Sequence, residues 1–340
     1  MNGYYLVRGV FSGAMVPTNL TDVRKIIKIG ERSAGITIPK EWLPLLGLSI
    51  GSSVEVSLGS GYIMVRPLSI TKTKPLYAVK VRAKDIETLS RLIIAGYIDG
   101  YDVIVVENSR DLARKAFYEV AMRLPGTIAM DGPSFTIKVS VDELNTKVEE
   151  VITSMKTTID TMFDLLMDYF QTGDRSRLEQ LIKLDDDLDR LHFLGVRTIK
   201  RTAFKNPQDA LDNMIVIKSL EHIGDALDRA SNTLLKLGSS FVEECKTRFR
   251  DVFARVAAYT SKSINSFVTM NLDLAIKVLM EREPLSREVF TIPGTCIDTP
   301  ETMALVHEAT VILYEAAEIA EVATARIVRY SEEKNIQVET

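Results

Sequence analysis

The spacing of apolar and polar positions changes character twice along this 340-residue chain. Residues 20–70 are short, β-branched runs broken by glycine and proline. In residues 23–29, Arg24, Ile26 and Lys28 fall on one face of a strand and Lys25, Ile27 and Ile29 on the other. Residues 35–38 read as a second short strand. Pro39 suits the first turn of a helix, where its missing N–H is not needed, and Gly47 can end that helix. Gly51 turns the chain into a strand at 54–57, and Gly59 and Gly61 bracket a hairpin turn into 62–66, closed by Pro67.

Residues 75–140 alternate strand and helix signals. A strand is expected over 75–81, then a helix capped by Asp85 with Ile86, Leu89, Ile93 and Ile94 on its apolar face. Residues 102–106 are continuously apolar after Asp102, as in a sheet interior. Ser109 or Asp111 opens a helix through 123, and strands follow near 128–130 and 135–139. This is a small α/β layer, a spacer or a ligand-sensing unit. It lacks a glycine-rich phosphate loop, so nucleotide binding is unsupported.

From about residue 145 the period is helical. Val148, Ile152, Met155, Ile159, Met162 and Leu166 step by three and four along a first helix, and Asp174 caps a second that Pro207 stops. Leu220, Ile223, Leu227, Ala230 and Leu234 form the seam of a third. Three more helices are expected within 242–330, with Pro284 breaking the fifth and residues 284–299 irregular. Six helices in two sets, about 145–238 and 242–330, indicate a duplicated three-helix bundle. The fold class is mixed: a β-rich unit at 20–70, an α/β unit at 75–140 and an all-α unit at 145–335.

Charge divides along the same lines. The net charge of −4 is the sum of +4 over residues 1–72, +1 over 73–147 and −9 over 148–340. A basic end suits a polyanion, and an acidic end suits cations or a basic protein surface. Two cysteines, Cys245 and Cys296, are too few for a disulfide framework and fit no zinc spacing, so a reducing, cytoplasmic setting is expected. No stretch is apolar enough to span a membrane. The run from Gly9 to Met15 is too weak for a signal peptide and reads as an upstream extension or a local strand.

The β-rich unit resembles the AbrB/SpoVT (MazE-like) swapped-hairpin family. The resemblance is carried by Lys28, Ile29 and Gly30, the run from Ile36 to Glu41, Leu46, Gly47, Leu48, Gly51, and the closing Arg66 and Pro67. It implies a small barrel interleaved from two chains, hence a homodimer, that binds DNA through the first strand and following loop. Arg24, Lys25, Lys28 and Arg32 are the positions it marks as DNA contacts. A unit of about fifty residues is marginal alone, so a core shared by two chains is physically sensible. By residue pattern alone the same cations also fit a solvated edge that blunts aggregation.

On the helical half, Asp185 and Asp189 are four apart with His192 following on their face, and Glu221, Asp225 and Asp228 form a second acidic face. Like charges at this spacing oppose a helix by a few tenths of a kcal/mol, which a bound cation or basic partner relieves. The Glu221 face lies opposite the Leu220–Leu234 seam, so these carboxylates are expected to look outward, as a metal site or as a solvated acidic surface. Oxygen donors suit iron, Mn, Mg or Ca. Residues 184–191 and 218–226 resemble the paired motifs of the PhoU family, regulators of phosphate uptake, and the resemblance runs over most of 145–335. It implies a metal held by Asp185, Asp189, Glu221 and Asp225. The second set departs from the motif, because Ala317 stands where a carboxylate belongs.

The function expected is a phosphate uptake regulator: a DNA-binding dimer joined to a PhoU-like sensing or docking half. The alternative is an adaptor that docks on a phosphate ABC transporter component or its signalling partner, with the β-rich end serving only to dimerise. No nucleophile–base pair accompanies the carboxylates, so enzymatic activity is not expected.

Overall fold

The computed structural model describes residues 7–10, 21–59, 61–68, 77–238, 241–292 and 294–335. The first segments are β1 (Val7–Val10), β2 (Ile27–Lys28), β3 (Ala34–Gly35), α1 (Trp42–Leu45), β4 (Val54–Gly59) and β5 (Tyr62–Pro67). The hairpin β4–β5 pairs in continuous register from Val54↔Pro67 to Gly59↔Tyr62, as its turn glycines predict. Gly61 takes φ +84°, a conformation that favours glycine. The strands expected over 23–29 and 35–38 are reduced to the two-residue pair β2–β3. Burial gives the reason: Val23 is 91% exposed, Ile26 76% and Leu58 86%, so much of the apolar surface among the described residues of this unit is left uncovered within one chain.

The α/β layer contains β6 (Tyr77–Val81), α2 (Ile86–Ile98), β7 (Val103–Val106), α3 (Arg110–Val120), a 3₁₀ turn at Ala121–Arg123, β8 (Thr127–Asp131) and β9 (Phe135–Val139). Asp85 caps α2 by accepting from the Thr88 amide. The sheet order is β1-β6-β7-β9-β8, with β6 and β7 parallel across the α2 crossover and the other pairs antiparallel. Thus Val7–Val10 joins this sheet as an edge strand, while residues 11–15 of the early apolar run lie outside the described residues. Val79, Val81, Ile104, Phe135 and Ile137 share a buried cluster with Leu89 and Ile93 of α2 and Phe117 of α3.

Six helices follow: α4 (Val148–Thr172), α5 (Arg175–Thr202), α6 (Pro207–Leu237), α7 (Glu243–Val268), α8 (Leu272–Phe290) and α9 (Pro300–Asn335). Asp174 caps α5, and Asn206 caps α6 with Pro207 in its first turn. α4, α5 and α6 pack on one another, as do α7, α8 and α9, and the sets meet through α6 against α9 and α4 against α7. One continuous apolar core runs through all six helices. Pro284 lies inside α8 rather than ending it at residue 283. The carbonyl it leaves unbonded is that of Met280, a residue 75% exposed, so water can take the missing donor's place. Residues 239 and 240, between the two helical sets, and residue 293, within the stretch expected to be irregular, fall outside the described residues.

Cys245 and Cys296 form a disulfide across a sequence separation of 51. Cysteine scarcity therefore gives no argument for a reducing setting. Among the described residues, no helix is long and apolar enough to cross a membrane.

The α/β layer docks on the helices through α5. Arg197 is fully buried there; it donates to Glu143, also fully buried, at 2.7 Å and to the carbonyls of Tyr97 and Tyr101 at 2.8 and 2.9 Å. Its guanidinium also lies 5.1 Å from the Tyr97 ring centre. One turn on, Arg201 covers Gly100, where φ is +86° and a Cβ would stand 2.6 Å from the arginine side chain.

Candidate functional site

Two glycines bring α5 and α6 close enough to build a polar groove. At Gly195 on α5 a Cβ would meet Ile217 of α6 at 2.5 Å, and at Gly224 on α6 it would overlap Leu188 of α5. Gly224 lies between Ile223 and Asp225 in the acidic motif, so its missing side chain draws the carboxylates of the two helices together.

The face expected to look outward is divided: the Glu221 side chain is 15% exposed and turned toward α5, where Asp189 is 18% exposed, whereas Asp225 keeps 41% of its side chain exposed. Asp189, His192 and Glu221 offer donor atoms that all lie within 4.8 Å of one another. Two donors on one ion with bonds of about 2.1 Å sit at most about 4.2 Å apart, so these three atoms would have to close slightly to share such an ion. Of the four expected ligands, Asp189 and Glu221 belong to this group. Asp185 and Asp225 sit one turn away on the same two helices, and Asp225 is engaged by Arg229 at 3.5 Å.

His192 was legible as sharing the face of Asp189 but was not counted among the ligands. It is 7% exposed, and its Nδ1 has no hydrogen-bond partner; the nearest carboxylate oxygen, on Glu221, is 3.7 Å away. Burial, helped by Lys218, pushes its pKa down to about 4, so the ring is neutral at pH 7 and able to ligate. Asp185 moves the other way: burial, then the charges of Asp228, Asp189, Asp225 and Asp186, push it up to about 7. Asp189 is raised by burial, opposed by its hydrogen bond from Arg123. Asp228 is likewise raised by burial, while donation from Asn232 pulls it down. Burial thus outweighs the neighbouring cations, Arg123 on Asp189 and Arg229 beside Asp228, in setting these shifts. His222 flanks this group, its side chain 41% exposed, with Nδ1 2.9 Å from Glu315 and Nε2 3.7 Å from Glu221.

At the corresponding place in the second helical set, Ala317 lines a cavity of about 260 Å³ with Arg282, Glu318 and Glu321. Arg282 reaches Glu321 at 3.1 Å, so a fixed guanidinium supplies positive charge beside those carboxylates.

At the β-rich end, Arg24, Lys25, Lys28 and Arg32 are all exposed, Lys28 within β2 and Arg32 in the turn toward β3. Arg24 is ion-paired with Asp22, and Arg66 is bound to Glu55 across the β4–β5 hairpin. Ile50, Val56 and Ile63 add to the exposed apolar surface beside them.

Residues 152–233 match the family model described as the PhoU domain, spanning both halves of the groove. The chain carries a PhoU domain. Residues 27–73 match a second family model, "Antidote-toxin recognition MazE, bacterial antitoxin". Among solved structures, the chain is similar to the crystal structure of PhoU from Pseudomonas aeruginosa, with a TM-score of 0.46 and 16% identity over 56% of this chain and 98% of that one. No curated protein matches the chain.

Proposed function

We propose that this chain is a non-catalytic regulator of phosphate uptake that binds DNA as a homodimer and senses or docks through its PhoU domain. It works as three units: 20–70 for dimerisation and DNA, 75–140 as the connecting α/β layer, and 145–335 as the helical unit. The observation that carries the reading is the pairing, within residues 21–68, of exposed apolar side chains with exposed cations. A second copy of the unit would cover Val23, Ile26, Ile50 and Leu58. It would also double Arg24, Lys25, Lys28 and Arg32 to about eight cations on one face.

The PhoU domain contributes the cation site. Asp189, His192 and Glu221, with Asp185 and Asp225 beside them, would hold a divalent ion, which when bound supplies positive charge to the acidic groove. A nitrogen donor among carboxylates favours iron or manganese over Mg or Ca. The residues' part is to keep the imidazole neutral and the carboxylates converged through the glycine contacts.

The pairing of Arg24 with Asp22 favours a second reading, in which the β-rich end only dimerises the chain and the PhoU domain docks on a phosphate transporter component or signalling protein. Charge reversal at Lys25 and Lys28 separates the two. The DNA-binding reading expects loss of duplex binding with the dimer intact by sedimentation; duplex binding unchanged by the reversal favours the adaptor.

A further inference from the structure

The helix that carries the cation donors also carries the α/β layer, and the two meet at one carboxylate. Asp189 Oδ2 lies 3.3 Å from the guanidinium of Arg123. Arg123 ends the 3₁₀ turn Ala121–Arg123, which packs against α5, and the next residue, Leu124, is buried in the layer's core. Arg123 comes from 66 residues earlier in the chain and from a different layer. It is the one guanidinium within ion-pair distance of Asp189 among the described residues. From the helices, the groups that face Asp189 are His192, Glu221, Asp225 and Asp185.

We infer that Arg123 is a built-in competitor for the cation, and that cation binding at Asp189 releases the α/β layer at this contact. The inference rests on the cation reading of the groove and adds its regulation. A carboxylate oxygen coordinated to a divalent ion has lost most of its negative charge to the metal, and the ion repels a guanidinium held beside it. The two cannot both be satisfied at Asp189.

The layer has a second hold, Arg197 with Glu143, Tyr97 and Tyr101, eight residues along α5. At 1.5 Å per residue that hold lies about 12 Å from Asp189. Release at Arg123 therefore frees one end of the contact while the other stays fixed, and the layer swings rather than detaches. Because the β-rich unit is joined to this layer, occupancy of the groove is relayed toward the polyanion-binding end. By reciprocity, whatever tightens the layer against α5 weakens cation binding.

The test uses the full chain with Mn²⁺ as probe, free ion being counted by electron paramagnetic resonance, beside Arg123→Gln, Arg123→Lys and Asp189→Asn. Removal of the competitor should tighten Mn²⁺ binding about five-fold or more in Arg123→Gln, with Arg123→Lys close to the parent. Hydrogen exchange read by mass spectrometry should rise on adding Mn²⁺ across residues 121–131 of the parent and stay unchanged at 97–102. Equal or weaker Mn²⁺ binding by Arg123→Gln, with the parent binding above the Asp189→Asn background, overturns the inference and leaves the cation reading standing. No binding above that background by either chain overturns both. Exchange at 121–131 that is unchanged or slowed by bound Mn²⁺ overturns the release step, whatever the variants do.

Discussion

Replacing Arg197 by methionine probes the hold between the α/β layer and the helices. The methionine fills much of the volume but removes every donor. It leaves the Glu143 carboxylate buried without its guanidinium, and it strips the carbonyls of Tyr97 and Tyr101 of a partner. Removing one member of a buried ion pair costs about 3–5 kcal/mol, because the surviving charge keeps its desolvation penalty. Two carbonyls losing a charged donor add to this, so the upper part of that range is expected. Urea unfolding followed by circular dichroism reads the loss, and exchange at 97–102 locates it. Pairing the change with Glu143→Leu removes the stranded charge and should recover a large part of the stability. A loss below about 1 kcal/mol in Arg197→Met, or a double variant less stable than the single one, would refute the reasoning.

In the metal-free groove two opposed pH effects overlap. His192 is held near 4 against an ordinary 6.5, so the unfolded chain binds more protons between those values, and stability falls as pH drops through that window. Asp185 is held near 7 against 3.8, so its contribution is complete below 3.8 and is lost as pH rises toward 7. Asp185→Asn should therefore become more stable from pH 4 to 6.5 and His192→Asn less stable over the same span; urea midpoints with equal slopes in the two variants would contradict this. Gly224→Ala must push Leu188 aside and part α5 from α6, costing about 1–3 kcal/mol and weakening Mn²⁺ binding; unchanged Mn²⁺ affinity would deny the glycine its role in building the groove. Reducing Cys245–Cys296, whose ends are 51 residues apart, should lower stability by about 4 kcal/mol on the chain-entropy estimate, seen as a fall in Tm with reductant.

What the sequence revealed divides by the range of the interaction responsible. The six long helices were legible because their apolar period and punctuation are local: Asp174 marks a start that the structure keeps, and Pro207, read as the stop of α5, stands in the first turn of α6 with Asn206 as its cap. The β4–β5 hairpin was legible from its glycines. Pro284 misled because a proline's cost depends on whether water can reach the carbonyl four residues back, which is a matter of fold. Within the groove, two of the four expected carboxylates converge with a histidine that shares their face. The direction of that face was misjudged at Glu221, since the seam of one helix does not disclose where its neighbour lies. Gly224 is the signal that could have corrected it: a glycine within a helical acidic motif marks close approach. Arg123 and Arg197 were invisible, because a lone arginine reads as a surface charge until a partner 66 or 54 residues away is brought to it.

The most direct test of a dimeric polyanion-binding end joined to a PhoU domain is the affinity of the full chain for duplex DNA across a salt series, followed by fluorescence anisotropy. The account predicts a dimer whose log affinity falls linearly with log salt, each phosphate neutralised contributing about −0.9 to the slope, so that several contacts give a steep line. A monomer at micromolar concentration, or an affinity indifferent to salt, would contradict it.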